Sequence, residues 1–134
     1  MNYLCLPLLL SLSLPVAAQE WALGGYDPVG YAQQGHATPG RNDIATMWRG
    51  KVWHFASEEN RQRFESNPRS FVPAFDGNCP VALAEGRKQN GDPRHFAVVG
   101  GQLYLLQSDS AERRLRQSPE QVIDRARDVW AALR

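Results

Sequence analysis

The sequence predicts a small α+β domain with two antiparallel β-hairpins, short helices, and a C-terminal amphipathic helix packed on the sheet. Three observations carry this expectation. The stretches IATMWRGKVWHFAS and HFAVVGGQLYLLQ each hold two apolar runs parted by a pair of turn residues. Near the end, Val122, Ile123, Ala126, Val129, Trp130 and Leu133 fall on one stripe at helical spacing. The length of 134 residues suits a single domain with one modest core.

Residues 1–18 carry no charged side chain and are apolar from position 4 onward. That run is too short, and too broken by Pro7 and Pro15, to span a bilayer. Val16-Ala17-Ala18 places small residues where a signal peptidase reads. Residues 1–18 are therefore expected to be a cleaved signal peptide, and residues 19–134 a periplasmic or secreted domain without a membrane span.

Residues 24–40, rich in Gly, Pro and Gln, are expected to form a loop with a short extended piece over 29–32. In the first hairpin, Arg49-Gly50 fits a two-residue turn that pairs Trp48 with Lys51 and Thr46 with Trp53. This register puts Trp48, Trp53 and Phe55 on one face, and Met47, Val52 and His54 on the other. Ser57 can cap a helix with acidic residues first and basic residues later, and Asn67-Pro68 ends it. Pro80 suits the first position of a short helix that Gly86 terminates, which makes Cys79 the N-cap residue. Gly100-Gly101 turns the second hairpin, with His95 near the start of its first strand. Arg113, Arg114 and Arg116 read as a solvated stretch or a partner surface. Ser118, Pro119 and Gln121 form a capping box for the last helix. No internal repeat is visible.

With 15 basic and 14 acidic residues, the net charge of +1 offers no electrostatic case for nucleic acid or an anionic membrane surface. Of the two cysteines, Cys5 leaves with the signal peptide, so Cys79 has no internal disulfide partner. At a helix start its sulfur would meet free N–H groups, a setting that lowers a thiol's pKa. That favours a thiolate for a soft metal or for redox exchange. The plainer alternative is a small buried side chain. Met47 and His54 are diagonal neighbours that could complete a soft S/S/N set for Cu(I) with Cys79, with His36 as a loop donor. The plainer reading is that Met47 packs, His54 is a partly exposed strand residue and His36 is a solvated loop residue. Asp27 before Pro28 reads as a turn-former bonding backbone N–H groups; alternatively Tyr26 and Asp27 approach the thiol and tune it.

GYDPVGY (25–31), the run from Trp48 to Phe75, GNCPVALAEGR (77–87), GDP (91–93) and VVGGQLYLL (98–106) occur in this order. Together they resemble the YHS domain, in its exported bacterial branch. The resemblance implies a small α+β domain that handles heavy metals, copper and silver especially. Ligand cysteines of the metal-pump relatives correspond to Gly30, Ala56 and Asn60, so that cysteine finger cannot form here. Cys79 matches the branch's single cysteine, which some members replace with selenocysteine, although Asn78 and Pro80 replace the usual flanks. The function expected is an exported heavy-metal protein holding Cu(I) or another soft ion through Cys79, possible partners being the ion and a periplasmic protein. The alternatives are a thiol redox protein, forming a sulfenate or mixed disulfide with a partner, and a non-enzymatic interaction module. No catalytic dyad, triad or phosphate loop stands out.

Overall fold

The computed structural model describes residues 20–134; the signal-peptide expectation and Cys5 lie outside them. Strands β1 (Arg41–Trp48) and β2 (Lys51–Phe55) form one antiparallel two-stranded sheet, and β3 (Asp92–Val99) and β4 (Gln102–Leu106) form another. Helices α1 (Gly30–Gln34), α2 (Glu58–Ser66), α3 (Pro80–Ala84), α4 (Asp109–Gln117) and α5 (Pro119–Ala132) complete a mixed α+β fold. The first hairpin has the expected register, with Thr46 opposite Trp53 and Trp48 opposite Lys51. Both residues of each hairpin turn have positive φ, as the tight turn requires. Among the described residues, no helix is long and apolar enough to cross a membrane.

Contrary to the sequence reading, in which no repeat is visible, residues 22–123 build one architecture twice, a structural duplication. The first unit spans residues 22–72 and the second 74–123. Arg41 and Asp92, Phe55 and Leu106, Glu58 and Asp109, and Ser66 and Gln117 mark matching element ends, each pair 51 positions apart. Each unit opens on a 3₁₀ turn with three successive positive φ values, at Leu23-Gly24-Gly25 and Phe75-Asp76-Gly77. A Pro-Val step follows, just ahead of the five-residue helix α1 in the first unit and as the first two residues of the five-residue helix α3 in the second. Gly40 and Gly91 lie so close to His54 and Leu105 that an added Cβ would fall 2.6 and 2.5 Å from them. The Gly40 N–H donates to Gly25 O at 2.9 Å, and the Gly91 N–H to Gly77 O at 2.8 Å. Ser57 and Ser108 each accept a bond from the backbone N–H three residues on. The repeat escapes sequence inspection because backbone geometry and apolar character recur, while side-chain identity mostly does not.

Three further expectations are corrected. Residues 29–32 belong to the opening of α1, since the Asp27 carboxylate turns the chain by accepting from the Val29 N–H at 2.8 Å. The solvated stretch with Arg113, Arg114 and Arg116 lies in helix α4, whose Ala111 and Leu115 are buried. Ser118 makes no side-chain cap bond to α5, because it also ends α4 and its backbone serves both helices. The stripe of α5 is otherwise as expected: Val122, Ile123 and Ala126 are buried, Val129 and Trp130 half-buried, and only Leu133 is exposed.

Two apolar clusters form the core, and the first draws Leu103 and Leu105 of β4 into the first unit's residues. In the first, Trp53, Phe55 and Phe64 form a set of tilted rings with Trp48 on the edge. The second joins the second hairpin to α3, α4 and α5 through Val81, Ala82, Tyr104, Leu106, Leu115 and Ile123. Tyr31 links the units, donating its hydroxyl to Pro93 O at 2.8 Å and setting its ring edge-on to Phe96. Burial, chiefly, raises the Tyr31 phenol above its ordinary pKa.

Asp27 organises the first unit. Its fully buried carboxylate accepts from the Val29 N–H at 2.8 Å, the Ala56 N–H at 2.8 Å and the Asn60 Nδ2 at 2.7 Å. These bonds pin the opening turn to the end of β2 and the start of α2. Replacing Asn60 with Ala removes one bond to a buried charged acceptor, and a loss of about 1.5–3 kcal/mol is expected in urea unfolding.

Candidate metal centre

Cys79 is where the sequence placed it, at the N-cap position before Pro80, with extended backbone at φ −65° and ψ 120°. Its setting is otherwise. The thiol is fully buried, makes no cap bond, and lies in the second apolar cluster with Val81, Ala82, Tyr104 and Leu106. The expectation of a sulfur within reach of an ion or a foreign thiol is therefore corrected: the hairpin and the last two helices close over it. Tyr26 is half-buried against the first cluster, and the Asp27 carboxylate is spent on Val29, Ala56 and Asn60. No hydrogen bond of either side chain to the thiol occurs among the described residues.

Met47 and His54 share one face of the first hairpin, as the register implied. Met47 is 54% exposed. His54 is buried under Trp21, their ring centroids 4.3 Å apart, and its Nδ1 has no hydrogen-bond partner among the described residues. His36 is exposed and stays local, its Nδ1 3.3 Å from Ala37 O. Cys79, His54 and His36 do not converge on a common point.

Among the described residues, one trio of His, Cys or carboxylate side chains does converge: His95, Asp109 and Glu112, with ligand atoms all within 4.8 Å of one another. His95 lies on β3, and Asp109 and Glu112 sit three apart on the first turns of α4, so both project from one helix face. His95 Nδ1 is 3.2 Å from Asp109 Oδ1 and 3.3 Å from Glu112 Oε1. Charge-assisted N–H···O⁻ bonds are shorter, about 2.7–2.9 Å. Metal–ligand bonds of about 2.0–2.2 Å instead set neighbouring donors roughly 3.0–3.5 Å apart. The two spacings are those of a long imidazole–carboxylate ion pair and also fall within the range for donors that share a metal.

Surrounding groups hold the trio in place. The Phe96 N–H donates to Glu112 Oε1 at 2.9 Å, and Arg116 stands 3.8 Å from Glu112 Oε2. Asp109 is largely exposed, leaving one side open to solvent. No expectation from the sequence reaches the trio, because the segment with Arg113, Arg114 and Arg116 reads as a solvated stretch and not as a helix, which hides the i, i+3 spacing of Asp109 and Glu112.

The duplication provides an internal control. The positions matching His95, Asp109 and Glu112 in the first unit are Ile44, Glu58 and Arg61. There Ile44 is buried core, and Arg61 and Glu58 form an ordinary surface ion pair at 2.6 Å. The scaffold thus forms without the trio, which is specific to the second unit.

Asp92, at the head of β3, is held at about 2 by Arg94, whose guanidinium bonds both carboxylate oxygens. The Arg94 N–H and the charge of His95 act in the same direction. Glu85 is likewise lowered, by Arg87 first and then by Arg114, which ties α4 to the end of α3. Neither a family model, nor a curated protein, nor a solved structure matches this chain.

A depressed carboxyl stabilises the fold at pH values above its ordinary range, and that contribution disappears as pH falls through the folded value. For Asp92 this loss is centred near pH 2. Replacing Arg94 with Ala should move the Asp92 midpoint up towards the ordinary value of about 3.9, as followed by NMR titration of its carboxyl carbon.

Proposed function

We propose that the protein is an exported metal-handling domain that binds a divalent first-row ion, best matched by Zn²⁺, through His95, Asp109 and Glu112. The observation that carries this reading is the convergence of one imidazole and two carboxylates at donor spacings of 3.2 and 3.3 Å. Their absence from the matching positions of the first unit supports it.

The donor chemistry selects the ion. Imidazole with carboxylates suits Zn²⁺ and its neighbours, whereas Cu(I) prefers sulfur. The YHS resemblance points to metal handling in general, and this site would meet that role with nitrogen and oxygen in place of the thiolate. With three protein donors and an open side, the ion would retain an exchangeable position for water or for a delivering partner. Glu112, oriented by the Phe96 N–H, acts as the preformed donor; exposed Asp109 closes on the ion from the rim.

Isothermal titration of the mature protein with Zn²⁺ tests this. One ion should bind per chain. Replacing His95 with Ala, or Glu112 with Gln, should weaken binding by at least about tenfold, a scale that even outer-shell changes reach. His36→Ala and Cys79→Ser should leave it unchanged. Absent binding, or binding indifferent to His95 and Glu112, overturns the proposal.

A further inference from the structure

We propose that Cys79 is the second unit's counterpart of Asp27, a buried joint that positions the first turn of α4 and does not serve as a ligand. The inference rests on the duplication and does not depend on the metal reading.

The two residues hold the same place in the chain. Each precedes a Pro-Val step at the approach to a five-residue helix, which begins at Gly30 after the step in the first unit and at Pro80 within it in the second. The Asp27 N–H donates to Thr38 O at 2.8 Å, and the Cys79 N–H donates to Gln89 O at 2.8 Å. Just before them, Tyr26 bridges Pro39 as Asn78 bridges Asn90. Both residues are fully buried.

What they contact has changed in concert. In the first unit the carboxylate reaches the Ala56 N–H and the side-chain amide of Asn60, at the start of α2. Gln107 and Ala111 hold those two positions in the second unit, at the start of α4. Where the first unit has Asn60 the second has Ala111, so the second unit has neither the carboxylate nor the side-chain amide that meets it. Cys79 and Ala111 instead belong to one apolar cluster. A polar Asp/Asn joint in the first unit corresponds to an apolar Cys/Ala joint in the second, in which the thiol acts as a small hydrophobe. Since Ala111 lies between Asp109 and Glu112 on α4, this joint also sets where those carboxylates stand.

The test is a double-mutant cycle read by thermal unfolding without added metal. Cys79→Asp buries a carboxylate with no side-chain amide to meet it, and Ala111→Asn buries an amide against a thiol; each alone should lower Tm. Combined, they rebuild the first unit's joint, and the double variant should melt above Cys79→Asp alone. Losses that simply add overturn the proposal.

Should Cys79→Asp fail to fold, the reciprocal exchange decides. Asn60→Ala should lower Tm less in an Asp27→Cys background than in the wild type, and an equal loss overturns the equivalence. As a third measure, N-ethylmaleimide should label Cys79 of the folded wild type only as fast as the chain opens. Labelling at the rate of a free thiol overturns the assignment as a buried joint.

Discussion

The buried carboxylate of Asp27 is the constraint around which the first unit is arranged. A charged group removed from water must recover its lost hydration through directed bonds, and Asp27 does so with three N–H donors and, among the described residues, no ion-pair partner. Those donors come from α1's approach, from the residue after β2 and from the first turn of α2. Satisfying one side chain therefore fixes three segments relative to each other. The aromatic cluster of Trp53, Phe55 and Phe64 then packs on a frame whose geometry is already set.

The second unit keeps the frame and changes the means of holding it. Backbone bonds, left-handed turns, close glycines and serine caps recur, because they follow from chain path rather than side-chain chemistry. Burial in a shared apolar cluster replaces the polar joint. This exchange accounts for a solitary thiol in a chain read as exported: its position is inherited from the architecture, and its chemistry is that of a packing residue.

Duplication also separates scaffold from addition. Where both units agree, a feature follows from the chain path; where they differ, it belongs to the side chains of one unit. The His95, Asp109 and Glu112 trio is of the second kind. It stands at the seam between β3 and α4, where a strand residue and a helix face meet and solvent has access. An apolar residue and a surface ion pair suffice at the matching seam of the first unit.

The sequence by itself determined the α+β class, both hairpins with the register of the first, the Ser57 cap, the position of Cys79 before Pro80, and the buried stripe of α5. These are local matters: two-residue turns, cap residues and periodicity act over a few positions, so they are visible in a linear string. Tertiary structure alone decided that Cys79 is sealed, that α4 exists, that the chain is duplicated, and that His95 meets Asp109 and Glu112. Burial depends on which surfaces close over a side chain, and α4 is held by Ala111 and Leu115 against a core that includes Ala97, Tyr104 and Leu106 of the second hairpin. The trio joins residues from two elements separated by a turn and a strand, and no spacing rule spans that gap. Asp27 falls between the two cases. Its turn-forming bond to Val29 was legible, but its long-range bonds to Ala56 and Asn60 required the fold.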